Sequence, residues 1–470
     1  MNKIVRCAGF SAILILGVVI GVSQMFAPAV DVRGHEVLMT LIITVGLWIF
    51  KPFDLPFSIS SGLFMAALLA FGVPASNVFS GFSGTAVWTL IPALFFGFAL
   101  AKTGLGKRIA YLGMSAIHVS YAGLIVMWTV IGVVLSMLTP SITVRVVIVT
   151  PIALQCVQIC GLPQGSKARS LILITAWGMA VIPGTGWMSG SLAGPILSGF
   201  YASVPELGAI DFHSWANVSL LPVAITTVLT AFGGYFVLKP TEKLEVSREV
   251  FREEYRKLGR MSLQEKVTGI VLTACFIMFM TTSLSHIPDA AICLFGMFAL
   301  AVFGIIEAKD FSSGINWDLV VFIGTAMSLG SVFSVTGLSS WISDVLVGAI
   351  APITGNPYLF VFAVLAMLFV WRFVDVAALI PSMAIISAIV PDVFARYGIS
   401  PLIWLPLLCI PMNTFLLSYT NMFALIAEAN MGEQGWTSQH LTKYGIVYCA
   451  AGMAGALISV PYWVSIGVFG

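Results

Sequence analysis

The stretch MLTPSITVRVVIVTP, residues 137–151, is almost entirely apolar, yet it carries a permanent positive charge at Arg145. A Thr-Pro-Ser break stands just before that charge and separates two long apolar runs, 121–139 and 143–160. Non-helical backbone at membrane depth is tolerated only where protein or a water-filled cavity covers it. We therefore predict a re-entrant hairpin over 121–160, with its tip inside the protein.

The composition of the whole chain is that of an integral membrane protein. Of its 470 residues, 59% are hydrophobic and only 9% are charged, whereas charged residues make up about 25% of ordinary soluble domains. The formal net charge of +2 comes from scattered loop residues. It therefore gives no reason to expect a nucleic-acid partner; the expected surroundings are a lipid bilayer.

The positive charges predict the topology. If the N-terminus is cytoplasmic and both 121–160 and 358–395 are re-entrant, 18 of the 22 Lys and Arg residues lie on the cytoplasmic side. Such a bias is what the positive-inside rule requires. We predict an all-α polytopic membrane protein with about 11 transmembrane helices plus two re-entrant hairpins, placed in a bacterial inner membrane with a cytoplasmic N-terminus.

The two halves of the chain share a motif and an order of parts. Residues 97–105 and 330–338 both fit G-x-x-[LF]-x-x-T-G-L. Each copy precedes a broken apolar hairpin and then a helix interrupted by Gly, Pro, Ser or Thr, which predicts two inverted repeats. The expected division is a leading transmembrane helix at 1–35, a first inverted repeat at 36–238, a cytoplasmic linker at 239–266 and a second inverted repeat at 267–470.

These motifs give the chain a resemblance to a known family. The run TGLGKRI at 103–109 and the tip PSITVR at 140–145 are similar to features of the divalent-anion/sodium symporter family, in particular its citrate, tartrate and oxoglutarate/malate translocators. That branch often has Pro-Ser-Asn-Thr-Ala-Arg at the tip, so Ile142 replaces an asparagine. The corresponding second copy, WRF at 371–373, lacks the Ser-Asn-Thr motif.

The resemblance implies an elevator-type transporter for a small anionic substrate. It implies a scaffold domain, including roughly 30–100 and 268–336, that forms a homodimer. It also implies a mobile transport domain made of the hairpins and the broken helices. Sodium at the hairpin tips is part of the same expectation.

Hydroxyl groups at the first tip are candidates for substrate and for sodium. Helix N-termini in a buried tip direct partial positive charge at whatever fills the gap. Ser141 and Thr143 can donate to an anion and also supply hard oxygen ligands for sodium. We predict both as substrate ligands, and Ser141, Thr143 and Gly184 as a sodium site. The alternative is that the hydroxyls only bond their own helix backbone.

The interrupted helices supply further candidates. The first is VIPGTGWMSGSLAGP at 181–195, with Thr185 in its Pro-Gly-Thr-Gly break, and the second is MNTFLLSYTNMFAL at 412–425. In the second segment we predict three substrate contacts, with interhelical bonding as the alternative: Ser418, Thr420 and Asn421.

Arg145 and Arg372 lie at corresponding places in the two hairpins. An ionised group in a spanning region costs at least about 2.5–3.5 kcal/mol on insertion scales, and a guanidinium can bind a carboxylate with two hydrogen bonds. We expect Arg145 to bind substrate or orient the tip, and Arg372 to bind substrate or replace a sodium charge. Asp375 could neutralise Arg372 or carry a coupling proton.

The sequence therefore predicts a secondary active transporter of small organic anions, most simply di- or tricarboxylates, coupled to sodium. A sodium-independent anion exchanger and a proton-coupled carrier of the same fold are the alternatives, and a sodium/proton antiporter is a distant one. No catalytic constellation or nucleotide-binding fingerprint is present in the sequence, so we expect no enzyme activity and no cofactor beyond sodium.

Overall fold

The chain folds into a bundle of α-helices. The computed structural model describes residues 3–117, 119–202, 210–244, 248–373, 375, 379, 382–383, 386–387 and 390–469. Within them, ten helices are long and apolar enough to cross a membrane, and both arms of the first hairpin are among the ten. Five apolar helices of 10–17 residues accompany them. The expectation of an all-α, multi-pass membrane protein is confirmed.

The first half of the chain ends with a long helix. Their bounds are α1 Lys3–Ser23, α2 Val32–Phe50, α3 Phe57–Ala70, α4 Ala75–Val78, α5 Ser80–Ser83, α6 Thr85–Thr103, α7 Leu105–Ala116, α8 Tyr121–Leu138, α9 Ile142–Ile159, α10 Lys167–Val181, α11 Ala193–Ala202 and α12 Phe212–Leu238.

The second half begins with a short polar helix and ends with the long helix of the C-terminal region. Its bounds are α13 Arg248–Lys257, α14 Leu263–Met280, α15 Thr282–Ser285, α16 Asp289–Val302, α17 Ala308–Ser313, α18 Trp317–Met327, α19 Leu329–Val335, α20 Leu338–Thr354, α21 Pro357–Trp371, α22 Val390–Ala395, α23 Trp404–Met412, α24 Met422–Met431 and α25 Ser438–Ser465.

The first hairpin consists of α8 and α9, joined by a three-residue tip. Serine caps begin both arms: the Ser120 hydroxyl accepts from Gly123 N at 3.1 Å, and the Ser141 hydroxyl accepts from Val144 N at 3.4 Å. Such caps satisfy amide groups that the first helical turn leaves free. The segment 121–160, for which a hairpin was predicted, is thus a helix–break–helix unit.

The second hairpin is described in part. Its first arm, α21, ends at Trp371, and α22 lies in the expected return arm. Of the predicted span 358–395, residues 374, 376–378, 380–381, 384–385 and 388–389 lie outside the described residues.

Both interrupted helices are broken where glycine, proline and hydroxyl residues cluster. After α10 the chain forms two short 3-10 turns, Pro183–Gly186 and Met188–Gly190, before α11 begins. After α23 it forms one such turn, Ser418–Thr420, before α24. The breaks place non-helical backbone inside the bundle, where neighbouring helices cover it.

The polar linker between the halves is held against the bundle by a buried ion pair. Arg108 on α7 donates from Nε to Glu265 Oε1 at 2.7 Å and from Nη2 to Glu265 Oε2 at 3.2 Å. Its Nη1 also donates to the Gly259 carbonyl at 3.0 Å. Phe251 of α13 is fully buried, so the linker is a packed element.

Close helix crossings depend on small residues, and Gly132 of α8 gives a test. A Cβ there would overlap the Met179 carbonyl of α10, whereas a Cβ at Gly62 of α3 would meet nothing within 4 Å. We expect Gly132→Ala to destabilise by about 1–3 kcal/mol through overpacking. Gly62→Ala should be neutral or stabilising, because alanine has the better helix propensity. Thermal unfolding in detergent measures both, and equal midpoints would contradict the packing of α8 on α10.

Candidate functional site

The first hairpin tip is organised by its own hydroxyl groups. Thr139 Oγ1 accepts from the Ser141 amide at 3.1 Å, and Ser141 Oγ in turn caps α9. Ser141 is buried, while Thr143 is exposed on the same face of α9 as Val147. Residues two apart on a helix point in nearly opposite directions, so the structure does not bring Thr143 to the Ser141 side of the tip.

Arg145 is a buried charged group whose side chain has no hydrogen-bond partner among the described residues. Its side chain has no solvent exposure, and Nε, Nη1 and Nη2 all lack a hydrogen-bond partner within the part of the chain that the structure describes. Arginine stays protonated in proteins. The first turn of α9 therefore carries a full positive charge next to the positive end of the helix dipole.

The guanidinium of Arg145 lies against the first helix break. A Cβ at Gly184 would come within 2.5 Å of Arg145 Nη1 and 3.0 Å of Ser136 Cβ, and it would overlap the Gly190 carbonyl. Only glycine at 184 lets the two turns of the break and the arginine approach so closely. Gly184, predicted as a sodium ligand, is thus a neighbour of a fixed cation.

Thr185 supports the break from within. Its hydroxyl donates to the Ile182 carbonyl at 2.9 Å, and its own carbonyl accepts from Trp215 Nε1 at 3.1 Å. Trp187 Nε1 donates to the Ser136 carbonyl at 3.3 Å and so joins the break to the first hairpin. The Thr185 side chain therefore has a local backbone partner.

Arg372 is equally buried, but it is bonded to backbone carbonyls. Nη1 donates to the main-chain carbonyl of Asp375, and Nη2 donates to the carbonyl of Thr420 in the second break. The Asp375 carboxylate accepts through Oδ2 from the amide and the hydroxyl of Ser382, at 3.0 and 2.6 Å. The guanidinium thus joins the second hairpin tip to the second break.

The amide of Asn421 closes the second break. Its Oδ1 caps α24 by accepting from Phe423 N at 2.9 Å and Ala424 N at 3.3 Å. Its Nδ2 donates to the carbonyls of Asn413 and Thr414 at the end of α23. Both the oxygen and the nitrogen of the Asn421 side chain therefore have hydrogen-bond partners within the chain.

The other residues predicted in the second break also have protein partners. Thr420 Oγ1 donates to the Leu417 carbonyl at 2.7 Å. Ser418 donates to Glu428 Oε1 at 2.6 Å, and Trp436 Nε1 donates to the same oxygen at 2.8 Å. Sequence reasoning missed Glu428, because its contact to Ser418 depends on how α24 folds back after the break.

The two breaks lie in one interior. The 3-10 turn Pro183–Gly186 contacts α23, and α9 packs along α24. Trp177 Nε1 at the end of α10 donates to the Phe423 carbonyl at 3.1 Å. The elements that hold Arg145 and Arg372 are therefore neighbours, although the two residues are far apart in sequence.

A cavity of about 620 Å³ reaches this interior. Helices α6, α14 and α16 form one wall, and the first tip and first break form the other through Met137, Pro140, Met188 and Ser189. Ser189 Oγ is buried and has no partner among the described residues. Sequence reasoning passed over this serine, although its place in the glycine-rich GTGWMSG run was a usable signal.

The fold is that of a polytopic membrane protein with two buried arginines beside breaks in its helices. The family model described as the sodium:sulfate symporter transmembrane region matches residues 8–466. The chain therefore belongs to this family of divalent-anion/sodium symporters, as its hairpin and TGLGKRI motifs suggested.

Similar proteins include named dicarboxylate carriers. The chain is 23% identical over 344 residues to the chloroplastic dicarboxylate transporter 1 of Arabidopsis thaliana, which covers 71% of this chain and 61% of that protein. It is 24% identical over 407 residues to the L-tartrate/succinate antiporter of Escherichia coli O6:K15:H31, covering 83% and 76%.

A solved structure shares the fold. The YdaH transporter of Alcanivorax borkumensis superposes with a TM-score of 0.56 at 12% identity, covering 86% of this chain and 90% of that one.

The bonds of Asn421 predict a role in holding the second break closed. Asn421→Ala removes a helix cap and leaves the buried carbonyls of Asn413 and Thr414 without a donor, which should cost about 2 kcal/mol. Asn356, the exposed cap of α21, is the matched control, and Asn356→Ala should cost less. Thermal unfolding in detergent compares them. A fully stable Asn421→Ala protein that no longer binds substrate would instead make Asn421 a substrate ligand.

Proposed function

We propose that this protein exchanges small organic anions, di- or tricarboxylates, across the membrane without sodium. The observation that carries the proposal is the place of the two buried guanidinium groups. Arg372 donates to the carbonyl oxygens of the second tip and break, and Arg145 lies against Gly184 at the first. Both positions are ones where the family resemblance implies sodium.

The contacts of Arg372 support its role as a fixed cation. Backbone carbonyls are hard oxygen ligands of the kind that sodium takes in helix breaks. Here the guanidinium bonds the carbonyls of Asp375 and Thr420, and its charge repels a second cation at the same place. The side chain holds one positive charge permanently where a symporter would bind it from solution.

Arg145 is the proposed carboxylate ligand. Its three nitrogen atoms lack protein partners among the described residues, and its fork of donors matches a carboxylate. Ser141 and Thr185 lie in the tip and break around it and are proposed as further substrate contacts. Ser418, Thr420 and Asn421 are proposed to act by supporting the second break.

Exchange follows from the charge of Arg145. Moving a buried, uncompensated guanidinium through the apolar region is costly, and a bound carboxylate removes most of that cost. The loaded carrier therefore crosses more readily than the empty one. Return without a bound anion is disfavoured, so inward transport of a substrate requires an anion to bind on the inside for the return.

The proposed movement is that of an elevator. The cavity separates α6, α14 and α16 from the first tip and break, which is the boundary expected between a scaffold and a transport domain. The inverted repeats, the homodimer, and a bacterial inner-membrane location with a cytoplasmic N-terminus belong to the same proposal.

Sodium symport is the competing function, since the family description names sodium. It would need Ser141, Thr143 and Gly184 to form a cation site. Thr143 points away from Ser141, and Gly184 faces a guanidinium, so the residues present do not fit sodium there. Proton coupling through Asp375 is a further alternative; its carboxyl group is already bonded to the amide and the hydroxyl of Ser382.

Counterflow in proteoliposomes tests the exchange. Uptake of labelled succinate and citrate is measured into vesicles that are empty or loaded with unlabelled anion, in sodium or choline medium, with the membrane potential clamped. We expect uptake only into loaded vesicles, at equal rates in both media. Uptake into empty vesicles driven by a sodium gradient would contradict the proposal and support symport.

Arg372→Gln tests the fixed charge. Losing a buried charged hydrogen-bond donor costs about 1.5–3 kcal/mol, so exchange should fall by roughly tenfold or more. Arg169→Gln is the control, because Arg169 is also buried and donates to the carbonyls of Leu162 and Gln434, far along the chain from both tips. The control should lower thermal stability while largely keeping exchange. Equal exchange in the wild type and Arg372→Gln would remove Arg372 from the mechanism.

A further inference from the structure

We propose that Arg145 binds a small inorganic monoanion, with chloride as the test case, when no substrate carboxylate is present. The inference rests on the proposed function, because it concerns the same guanidinium. It adds a ligand of a different chemical class and a competition between that ligand and the substrate.

The first step is the charge balance around Arg145. The side chain is completely buried, and no acidic group bonds it in the described part of the chain. It lies in the first turn of the 18-residue helix α9, whose dipole adds positive potential at that end. Removing a charge from water is expensive unless a counter-charge accompanies it. The buried guanidinium therefore requires a counter-anion, and any small anion in solution can supply the charge.

The space around the Arg145 guanidinium is limited. Gly184 and Gly190 approach so closely that a Cβ on either would overlap the carbonyl of the other. Arg145 does not line the cavity of about 620 Å³, whose wall is formed by neighbouring residues such as Met137 and Ser189. All three nitrogen atoms are fully covered by protein. An anion therefore reaches them only when the turns of the first break move apart, and a monatomic ion or a single carboxylate group needs the smallest movement. The rest of a substrate must extend toward the cavity.

The consequence is direct competition. A halide and a substrate carboxylate would use the same three nitrogen atoms, so only one of them can bind at a time. An ion bound there also neutralises the guanidinium in the substrate-free protein, and it must leave before a dicarboxylate binds. Chloride should raise the apparent Kd for succinate without changing the number of sites.

Thermal unfolding of the purified full chain in detergent is the direct test. Potassium chloride is titrated against the potassium salt of a bulky sulfonate buffer at constant ionic strength, because the sulfonate offers no carboxylate and its head group is larger than one. A ligand that binds only the folded state raises the unfolding midpoint with its concentration. We expect a saturable rise for the wild type, and at ten times the chloride Kd a roughly tenfold increase in the apparent Kd for succinate.

Two variants localise the effect. Arg145→Gln should fold in the sulfonate salt, since it removes an uncompensated charge, and it should show no response to chloride. Arg169→Gln should unfold at a lower temperature and still respond to chloride. Gly184→Ala keeps the charge of Arg145 but places a Cβ against Nη1 and the Gly190 carbonyl, so it should lose the response and also lower the unfolding midpoint.

The outcomes separate this inference from the proposed function. A wild type that succinate stabilises and chloride does not would overturn the monoanion site and leave dicarboxylate exchange standing. A chloride response that persists in Arg145→Gln would also overturn it, because the ion would then bind elsewhere. Loss of both responses, together with no counterflow, would overturn the proposed function itself.

Discussion

The buried charge of Arg145 is the constraint on which the rest of the molecule depends. A guanidinium cannot lose its proton in a protein, and this one lies in an apolar helix with no hydrogen-bond partner among the described residues. The glycines of the first break bring backbone and arginine together, and the hydroxyls of the tip cap α9. An ionisable group kept inside a membrane protein points to a functional site, and a cation there favours an anionic ligand.

In the second half of the chain, the corresponding arginine has backbone hydrogen-bond partners. Arg372 is bonded to two carbonyls, and Asn421 joins both ends of the break. In that half two nitrogen atoms of the buried guanidinium, Nη1 and Nη2, have backbone partners. In the first half, the three nitrogen atoms of the Arg145 guanidinium have no partner among the described residues. This difference between the two halves is the basis for proposing an anion site at Arg145 that needs no sodium beside it.

The sequence predicted the elements well and the side-chain partners poorly. Apolar run lengths and the Pro-Gly-Thr-Gly and Ser-Tyr-Thr-Asn breaks were enough for the first hairpin and both interrupted helices, because backbone groups in a membrane must be satisfied locally. Partners depend on how helices face each other. Arg372 bonds Thr420 across 48 positions, Thr143 turns away from Ser141, and Asn421, not Asn413, holds the break. No pattern within one helix contains that information.

The most direct test of the central claim is the affinity of the purified protein for succinate, measured by equilibrium binding in choline and in sodium buffers. If the two arginines replace the coupling cations, the Kd should agree between the buffers within about twofold, which is less than 0.5 kcal/mol. Affinity that appears only with sodium, or that rises steadily with its concentration, would show that a cation binds with the substrate and would contradict the account.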